Sequence, residues 1–366
     1  MKQTVLHQKH LQANAPLTEY QDWQTPLQFS DTLAEYHAVH NAAGLFDIGY
    51  LGRIEIAGLA STPFLQNMLT GNIAKITIGS VHYGLICNES GFILDDILIL
   101  HLAVNRYLIT TNAGNTDKIL LWLKKHAIEN VDITDRSQAL AQFALQGPQA
   151  FPVLEKLSGP HLTKMKPKVV REAAIQGIDV TISRTGYTGD QGYELFVPAD
   201  RAEALWGAIM AVGNEKGLLP CGFACRDILR METGHLLQGK DLDETRTPLE
   251  AGLGSFVYFK KEFVGKAALL KLQAEGSKRK LAGFILLDKG MPKSGGSIFS
   301  ESREIGVVTS GVQSPHRRAG IGLGYVVSRY AQAGQEIEIE VRDKEIAAKI
   351  VDLPFYRKKA GSASGP

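Results

Sequence analysis

Two adjacent carboxylates, Asp95 and Asp96, stand inside the otherwise apolar run Gly91-Phe-Ile-Leu-Asp-Asp-Ile-Leu-Ile-Leu100. The run is typical of a buried strand, whose successive side chains point to opposite faces, so only one of the two acids can enter a given pocket. A buried carboxylate is costly unless it is paired or hydrogen-bonded, and a sequence that keeps one usually uses it. An edge strand or a structural ion pair would also account for both acids.

Two polar segments have the residue types to complete a site around these acids. The run Thr110-Thr-Asn-Ala-Gly-Asn115 is a strand end leading into a helix, where amide and backbone N–H groups can hold the edge of a heterocycle. The run from Arg184 to Glu194 contains three glycines and two tyrosines, which offer close backbone approach, a stacking face and an acceptor for ring N–H groups. Helix capping and a glycine-rich hairpin loop are the alternative explanations.

The elements that would position these segments are mixed. Apolar spacing predicts helices over residues 32–41, 61–69, 116–125, 201–212 and 222–233. Extended runs predict strands over residues 51–56, 80–87, 92–101, 107–112, 142–145, 178–183 and 193–198. After a helical connector at 266–275, short alternating segments from about residue 280 predict a small all-β barrel or sandwich. The pattern indicates an α+β protein.

Length and composition describe an ordinary globular protein of more than one packed unit. The 366 residues are 44% hydrophobic and 21% charged, and the net charge of +2 lacks the basic excess of a nucleic-acid binder. No signal peptide and no run of about 18 apolar residues is present, so we expect a cytoplasmic protein with no membrane role. Cys87, Cys221 and Cys225 are expected to be reduced thiols rather than metal ligands.

Common catalytic motifs do not occur. The chain has no P-loop, no His-Glu-x-x-His and no Gly-x-Ser-x-Gly. The glycines of residues 320–324 precede a strand-like run rather than a helix, so they are not a dinucleotide fingerprint. Nucleotide-driven and metal-driven chemistry therefore have little support.

Taken in order, motifs along nearly the whole chain resemble the glycine cleavage T-protein family of aminomethyltransferases. Each motif is modest by itself, but the ordered set is specific. The motifs are Ala43-Gly-Leu-Phe-Asp47, Asn88 to Asp96, Ala144-Leu-Gln-Gly-Pro148, Ser183 to Gly189 with Gly192-Tyr-Glu194, Cys225-Arg-Asp227 with Leu229-Arg230, Asp241 to Leu253, Thr309-Ser-Gly311 with Ser314-Pro315, and Leu353-Pro-Phe-Tyr356.

The resemblance implies an α+β fold of three lobes arranged like a cloverleaf. Two intertwined α/β lobes would form the folate-binding part over residues 1–275, and a C-terminal β-barrel would follow over residues 276–359. Residues 360–366, poor in apolar side chains, are expected to be a disordered tail. Tetrahydrofolate, as co-substrate, would occupy the channel between the lobes.

The resemblance also implies the site residues. Asp96 would be the catalytic carboxylate facing the folate, and Asp95 would be structural. The family's folate-contacting positions fall on Tyr83, Asn112, Tyr187, Glu194, Arg226 and Tyr356. No metal is implied.

The implied reaction uses a lipoyl carrier, the H-protein of the glycine cleavage system, as partner. The carrier would deliver an aminomethyl group on its lipoyl sulfur, and transfer to tetrahydrofolate would give 5,10-methylenetetrahydrofolate and release ammonia. A buried carboxylate suits such a step because it can position an amine and stabilise an iminium-like centre. Because carrier domains of this kind are usually acidic, the basic pair Arg317 and Arg318 is the candidate docking surface, and a solvated turn is the alternative.

Two positions and one four-residue segment depart from the family's common pattern. Tyr50 replaces a histidine, Gln238 replaces a tyrosine, and residues 316–319 replace Thr-Leu-Gly-Lys. These departures leave open a tetrahydrofolate-dependent demethylase or methyltransferase of the same fold. A non-enzymatic folate-binding factor for iron-sulfur assembly is the other alternative, although that branch's Lys-Gly-Cys-Tyr-x-Gly-Gln motif is absent.

Overall fold

Eight α-helices occur in the part of the chain that this computed structural model describes, residues 1–159, 162 and 165–357. They are α1 (His7–Gln12), α2 (Thr32–Asn41), α3 (Ser61–Met68), α4 (Thr116–Lys125), α5 (Ala150–Ser158), α6 (Ala202–Asn214), α7 (Phe223–Glu232) and α8 (Lys266–Glu275). Apolar spacing predicted all of them except α1 and α5, which are only 6 and 9 residues long. Helix α1 has fewer than two turns, too few for apolar spacing to stand out.

Residues near the N-terminus form one small sheet, and one of the two α/β lobes is built on a larger sheet. The first sheet consists of the short strands β1 (Lys2–Gln3), β2 (Leu17–Tyr20) and β3 (Trp23–Pro26). The second has six strands in the order β11-β12-β13-β10-β4-β14, namely β4 (Ala43–Asp47), β10 (Leu140–Gln146), β11 (Val170–Ile175), β12 (Ile178–Ser183), β13 (Gly192–Pro198) and β14 (Leu218–Pro220). Helices α5 and α6 cover it, and Leu154, Leu205 and Trp206 are buried against its strands.

A five-stranded antiparallel sheet forms the other α/β lobe. Its order is β6-β7-β8-β5-β9, and its strands are β5 (Gly52–Ala57), β6 (Val81–Cys87), β7 (Ile93–Ala103), β8 (Arg106–Thr111) and β9 (Asp132–Asp135). Phe64 of α3 and Ile119 of α4 are buried in the core of this lobe. Because the chain leaves the six-stranded sheet after β4 and returns to it with β10, the two lobes are intertwined, as the family resemblance implied.

The two α/β lobes meet along one line of backbone contacts. Ser80 and Val169 form an isolated β-bridge, and the amide of Val170 donates to the carbonyl of Gly79 at 2.8 Å. Val81 and Phe196, from opposite lobes, are buried in one small apolar cluster beside this line. The junction brings the ends of β6, β7 and β13 close together, and the cavity described below lies there.

The C-terminal strands close into a barrel in the order β15-β18-β17-β16-β19-β20. They are β15 (Arg279–Leu286), β16 (Ser297–Ser300), β17 (Arg303–Ser314), β18 (Ala319–Val327), β19 (Glu336–Val341) and β20 (Lys344–Val351). The sequence had left a barrel and a sandwich open, and the strand pairing selects the barrel. The boundaries at 275/276 and 359/360 stay predictions, and residues 360–366 lie outside the described residues.

A buried ion pair joins α7 to the barrel. Arg230 Nη1 donates to Asp241 Oδ2 at 2.6 Å, and Arg230 Nη2 donates to Ser310 Oγ of β17 at 3.0 Å. Thr309 Oγ1, also on β17, donates to Asp241 Oδ1 at 2.6 Å. Both members of the pair are almost fully buried, so every donor and acceptor needs such a partner.

None of the helices in the described ranges has both the length and the apolar character needed to cross a membrane.

Candidate active site

A cavity of about 540 Å³ lies between the two α/β lobes, with α7 and the segment that follows it along one side. Its volume is in the usual range for a small-molecule site. Aromatic and polar side chains supply much of its wall, among them Tyr20, Tyr50, Tyr83, Asp96, Asn112, Tyr187, Glu194, Arg226, Asp227, Arg230, His235 and Phe256.

The two adjacent acids of β7 have different surroundings. The strand pairs with β6 in a register that sets Asp95 opposite Ile86 and Asp96 opposite Leu85. Asp96 lines the cavity, whereas Asp95 is fully buried behind it. The expectation that only one acid enters the pocket is therefore confirmed.

The Asp95 carboxylate is held by N–H donors of the segment that leads into α4. Its carboxylate accepts hydrogen bonds from the Asn112 backbone amide at 3.0 Å, from Asn112 Nδ2 at 2.9 Å and from Asn115 Nδ2 at 2.9 Å. Burial and the charge of Asp96 raise the pKa of the Asp95 carboxyl to about 7, and the three N–H donors oppose this rise because they favour the acceptor-only, ionised form. The side chain of Asp95 thus fastens β7 to the segment that leads into α4.

Asp96 has two donors and an open face toward the cavity. Tyr83 donates its hydroxyl to Asp96 Oδ2 at 3.0 Å, and Asn112 Nδ2 lies 2.8 Å from Asp96 Oδ1. Burial raises the pKa of the Asp96 carboxyl, and the hydrogen bonds from Tyr83 and Asn112 oppose that rise. The carboxylate is therefore a stronger proton acceptor than an aspartate in water.

Glu194 and Arg226 reach the cavity from different elements. Glu194 lies on β13, where its neighbours are Ala144 of β10 and Ser183 of β12, and Thr185 donates to its Oε2 at 3.1 Å. Burial raises the pKa of the Glu194 carboxyl, and the charge of Arg226 opposes the rise. The guanidinium carbon of Arg226, on α7, lies 4.7 Å from the centroid of the Tyr187 ring.

Arg226 keeps one unused donor. Its residue is only 8% exposed, yet Nη1 is buried with no hydrogen-bond partner among the described residues. An unpaired buried guanidinium N–H is costly in free energy, and a ligand acceptor would remove that cost. Glu194 lines the same cavity, so its wall offers both a donor and an acceptor, which suits the amide and amino edge of a heterocycle.

The structure brings together six of the seven site residues inferred from the sequence. Asp96, Tyr83, Asn112, Tyr187, Glu194 and Arg226 all line the cavity. Tyr356 does not. Its ring lies 4.4 Å from that of His316 and 5.4 Å from that of His40, and its backbone amide donates to the carbonyl of Glu232. Tyr356 is therefore left out of the candidate site.

The unusual positions fall in different surroundings. Tyr50 lines the cavity, and its ring meets Tyr20 edge-on at 5.4 Å. Gln238 is buried, and its Nε2 donates to the carbonyl of Leu94 at 3.3 Å. Residues 316–318 form the turn between β17 and β18, and they do not line the cavity. Of these departures, Tyr50 alone alters the cavity wall directly.

Sequence reasoning missed five aromatic wall residues, Tyr20, His82, Phe223, His235 and Phe256. Tyr20 and Phe256 belong to segments with no catalytic pattern, and only the tertiary fold carries them to the cavity. His235 had a local signal, since it follows a glycine directly after the helical pattern of residues 222–233.

Glu35, Cys221 and Cys225 form a buried cluster whose ligand atoms lie within 4.8 Å of one another. The Glu35 carboxylate is already bound by backbone amides, those of Phe29 at 2.6 Å, Ser30 at 3.0 Å and Gly222 at 2.8 Å. Burial raises the pKa of the Cys221 thiol, which disfavours the thiolate that a metal needs. The cluster is better explained by packing at the start of α7.

Comparison with known families gives two matches that together span most of the chain. A family described as the GCVT N-terminal domain matches residues 6–261. A second, described as the glycine cleavage T-protein C-terminal barrel domain, matches residues 279–357.

Individual relatives agree with these matches. An aminomethyltransferase from Caldanaerobacter subterraneus subsp. tengcongensis is 41% identical over 98% of this chain and 96% of its own length. An aminomethyltransferase from Bacillus subtilis is 38% identical over 98% of this chain and 100% of its own. The crystal structure of glycine cleavage system aminomethyltransferase T from Bartonella henselae superimposes with a TM-score of 0.91 at 31% identity, covering 97% of this chain and 98% of that one.

The hydrogen bonds of the acid pair predict different stabilities for two matched variants. In Asp95→Asn the new amide must turn an NH₂ group toward N–H donors, which we expect to lower the free energy of unfolding by about 1–3 kcal/mol. Asp96→Asn faces the cavity and should change it by less than about 1 kcal/mol. Urea denaturation of both variants measures the difference, and equal losses would contradict the division between the two acids.

Proposed function

This chain belongs to the glycine cleavage T-protein family, whose relatives are aminomethyltransferases, and we propose that it transfers the methylene of a lipoyl-bound aminomethyl group to tetrahydrofolate. The carbon–sulfur and carbon–nitrogen bonds of the aminomethyl group break, and two bonds from the methylene to folate nitrogens form. Two protons from those nitrogens end on ammonia and on the lipoyl thiol. The products are 5,10-methylenetetrahydrofolate, ammonia and the reduced carrier.

The observation that carries the proposal is the convergence of Asp96, Glu194 and Arg226 on one cavity. Arg226 Nη1 is a buried donor with no partner among the described residues, and Glu194 is a buried acceptor on the same cavity wall, as an amide and amino edge of a pterin requires. A site built for such a ring discriminates strongly against analogues that lack its donors, because its own polar groups would then be left unpaired.

The proposed role of Asp96 is electrostatic and positional. Its open face can accept an N–H from the reacting amine and can stabilise positive charge as the iminium-like centre develops. The Tyr83 hydroxyl and the Asn112 amide hold the carboxylate in one orientation, so little reorganisation is needed during the reaction. Tyr187 supplies an aromatic face beside Arg226.

The proposed partner is the lipoyl carrier, the H-protein, of the glycine cleavage system. Arg317 and Arg318 remain the candidate docking residues because both are exposed on the turn between β17 and β18. Arg317 Nε donates to the carbonyl of Phe355 at 2.8 Å, so Arg318 is the freer of the two. A cytoplasmic location is part of the same proposal, and the three cysteines are free and buried.

Tetrahydrofolate should raise the melting temperature of the protein, because a ligand that binds only the folded state stabilises it. At a ligand concentration 100 times the dissociation constant, the free energy of unfolding rises by about 2.7 kcal/mol. Thermal unfolding with increasing tetrahydrofolate measures it, with a flavin and a nicotinamide nucleotide as controls. No shift up to millimolar tetrahydrofolate would contradict the proposal.

Asp96→Asn should lower kcat with the lipoyl-bound aminomethyl substrate by at least about 100-fold, because the charge that stabilises the transition state is lost. In the unsubstituted protein the ionised form is active, so activity should fall as the pH drops through the raised pKa of Asp96, above the value of about 4 for an exposed aspartate. Steady-state kinetics against pH check both points. Near-normal turnover by the variant would remove Asp96 from catalysis, and turnover of a methyl donor instead of the aminomethyl carrier would favour a demethylating enzyme.

Substitution of Arg317 and Arg318 by Glu should raise the apparent KM for the carrier, weaken its salt dependence and leave folate affinity unchanged. The single variant Arg318→Glu should show most of the effect, since Arg317 is held by Phe355. Arg303→Glu, an equal charge change at an exposed barrel position, is the control. Steady-state kinetics against carrier concentration at two ionic strengths measure the apparent KM and its salt dependence. An unchanged KM would show that the arginines are not part of the docking surface.

A further inference from the structure

The backbone of His235 is fixed by the end of α7. Gly234 has φ +71°, and the helix closes with hydrogen bonds from the Gly234 amide to the Met231 carbonyl at 3.0 Å and from the His235 amide to the Arg230 carbonyl at 2.9 Å. This is the Schellman arrangement, which glycine favours because it needs a left-handed residue. The carbonyl of His235 accepts from Arg230 Nη1 at 3.2 Å. Both backbone groups of His235 are therefore bonded to the same arginine residue.

The imidazole is fixed as well, and its hydrogen bonds assign the tautomer. Thr233 Oγ1 lies 2.8 Å from His235 Nδ1, and it also lies within 3.1 Å of the carbonyls of Leu229 and Arg230. A threonine hydroxyl has one hydrogen, which the helix carbonyls take, so its oxygen accepts from Nδ1–H. In the neutral ring Nε2 is then a bare acceptor.

The surroundings of the ring keep it neutral. It stacks on Tyr187 with centroids 5.0 Å apart and an interplanar angle of 26°. Enclosure of the ring by the cavity wall, together with the charges of Arg226 and Arg230, lowers the pKa of His235 to about 4, although the residue keeps solvent-accessible surface. At neutral pH the side chain can therefore accept a hydrogen bond at Nε2 but cannot donate one there.

Nε2 is available to a ligand. His235 lines the cavity and retains exposed surface there, and its Nε2 makes no hydrogen bond to any of the described residues. Asp96 and Glu194 also offer acceptors in the cavity, but both are carboxylates, whereas the acceptor of His235 is a neutral ring nitrogen. A reduced pterin ring presents several N–H donors that need acceptors when they are buried.

We propose that His235 Nε2 accepts a hydrogen bond from an N–H group of the reduced pterin ring, which makes His235 a further substrate-binding residue. The inference rests on the proposed tetrahydrofolate binding. Thr233 is then a positioning residue, because it presents Nε2 to the ligand by holding the proton on Nδ1.

The direct test is nitrogen NMR on protein whose histidines carry ¹⁵N. Without ligand, the His235 signals, assigned by their loss in His235→Phe, should show a neutral ring protonated at Nδ1. Saturating tetrahydrofolate should shift the Nε2 signal and leave the Nδ1 signal nearly unchanged. A protein that binds tetrahydrofolate while the Nε2 signal stays in place would overturn this inference alone, and a protein that binds none would overturn the proposed function with it.

Binding constants of matched variants provide an independent measurement. His235→Phe keeps a ring to stack on Tyr187 but has no acceptor, and we expect tetrahydrofolate to bind it roughly tenfold more weakly, the effect of one hydrogen bond. His235→Gln can place its carbonyl oxygen near the position of Nε2 and should bind within about threefold of the unsubstituted protein. His37→Phe, at an exposed position outside the cavity, is the control. Equal affinity of the Phe and Gln variants would overturn the acceptor role.

The positioning role of Thr233 has its own pair of variants. Thr233→Val removes the hydroxyl at nearly constant shape, so the histidine proton should distribute between Nδ1 and Nε2 and tetrahydrofolate should bind more weakly. Thr233→Ser keeps the hydroxyl and should preserve both the tautomer and the affinity. A Thr233→Val protein with the original tautomer and affinity would remove Thr233 from this role.

Discussion

The buried ion pair between Arg230 and Asp241 is the constraint on which the site depends. Asp241 takes hydrogen bonds from Arg230, Thr309 and the Leu237 amide, and its backbone carbonyl accepts from the Tyr325 hydroxyl at 2.9 Å. A pair taken out of water is stable only when nearly all of its hydrogen-bonding groups are satisfied, so these contacts allow little freedom. The pair locks α7, the segment after it and the barrel into one relative position.

The locked helix carries the groups that would meet a ligand. Arg226 lies four residues before Arg230, on the same side of α7, so fixing one guanidinium limits where the other can go. His235 follows at the end of the helix, with its carbonyl on Arg230. The barrel supplies no strand residue to the cavity wall within the described chain, and it acts on the site through this helix.

The site also depends on the intertwining of the two α/β lobes. Asp96 comes from the five-stranded sheet, and Glu194 comes from the six-stranded sheet. Neither lobe holds both carboxylates, so the cavity exists only where the lobes meet at the bridge between Ser80 and Val169. The glycine-rich segment between β12 and β13 is indeed a hairpin loop, and Thr185 and Tyr187 within it also face the cavity, so both explanations offered for that loop apply.

Much of this protein was determined by its sequence alone. The strand-like run around Asp95 and Asp96 allowed at most one of the two acids to enter a given pocket, because side chains alternate on a strand. Ordered motifs indicated the three-lobed fold and six of the residues that line the cavity. Local patterns succeed here because propensity, alternation and turn residues act over a few positions in the chain.

Other features were decided only by the tertiary structure. Asn112 donates to both acids at once, and Tyr356 lies with His316 and His40 instead of in the cavity, which no local pattern could specify. The acceptor atom of His235 depends on Thr233, on the helix carbonyls and on the ring of Tyr187. Sheet pairing and burial set how close these residues lie in space. Local sequence patterns do not reveal such contacts, because hydrogen bonds and pKa values respond to neighbours in space rather than along the chain.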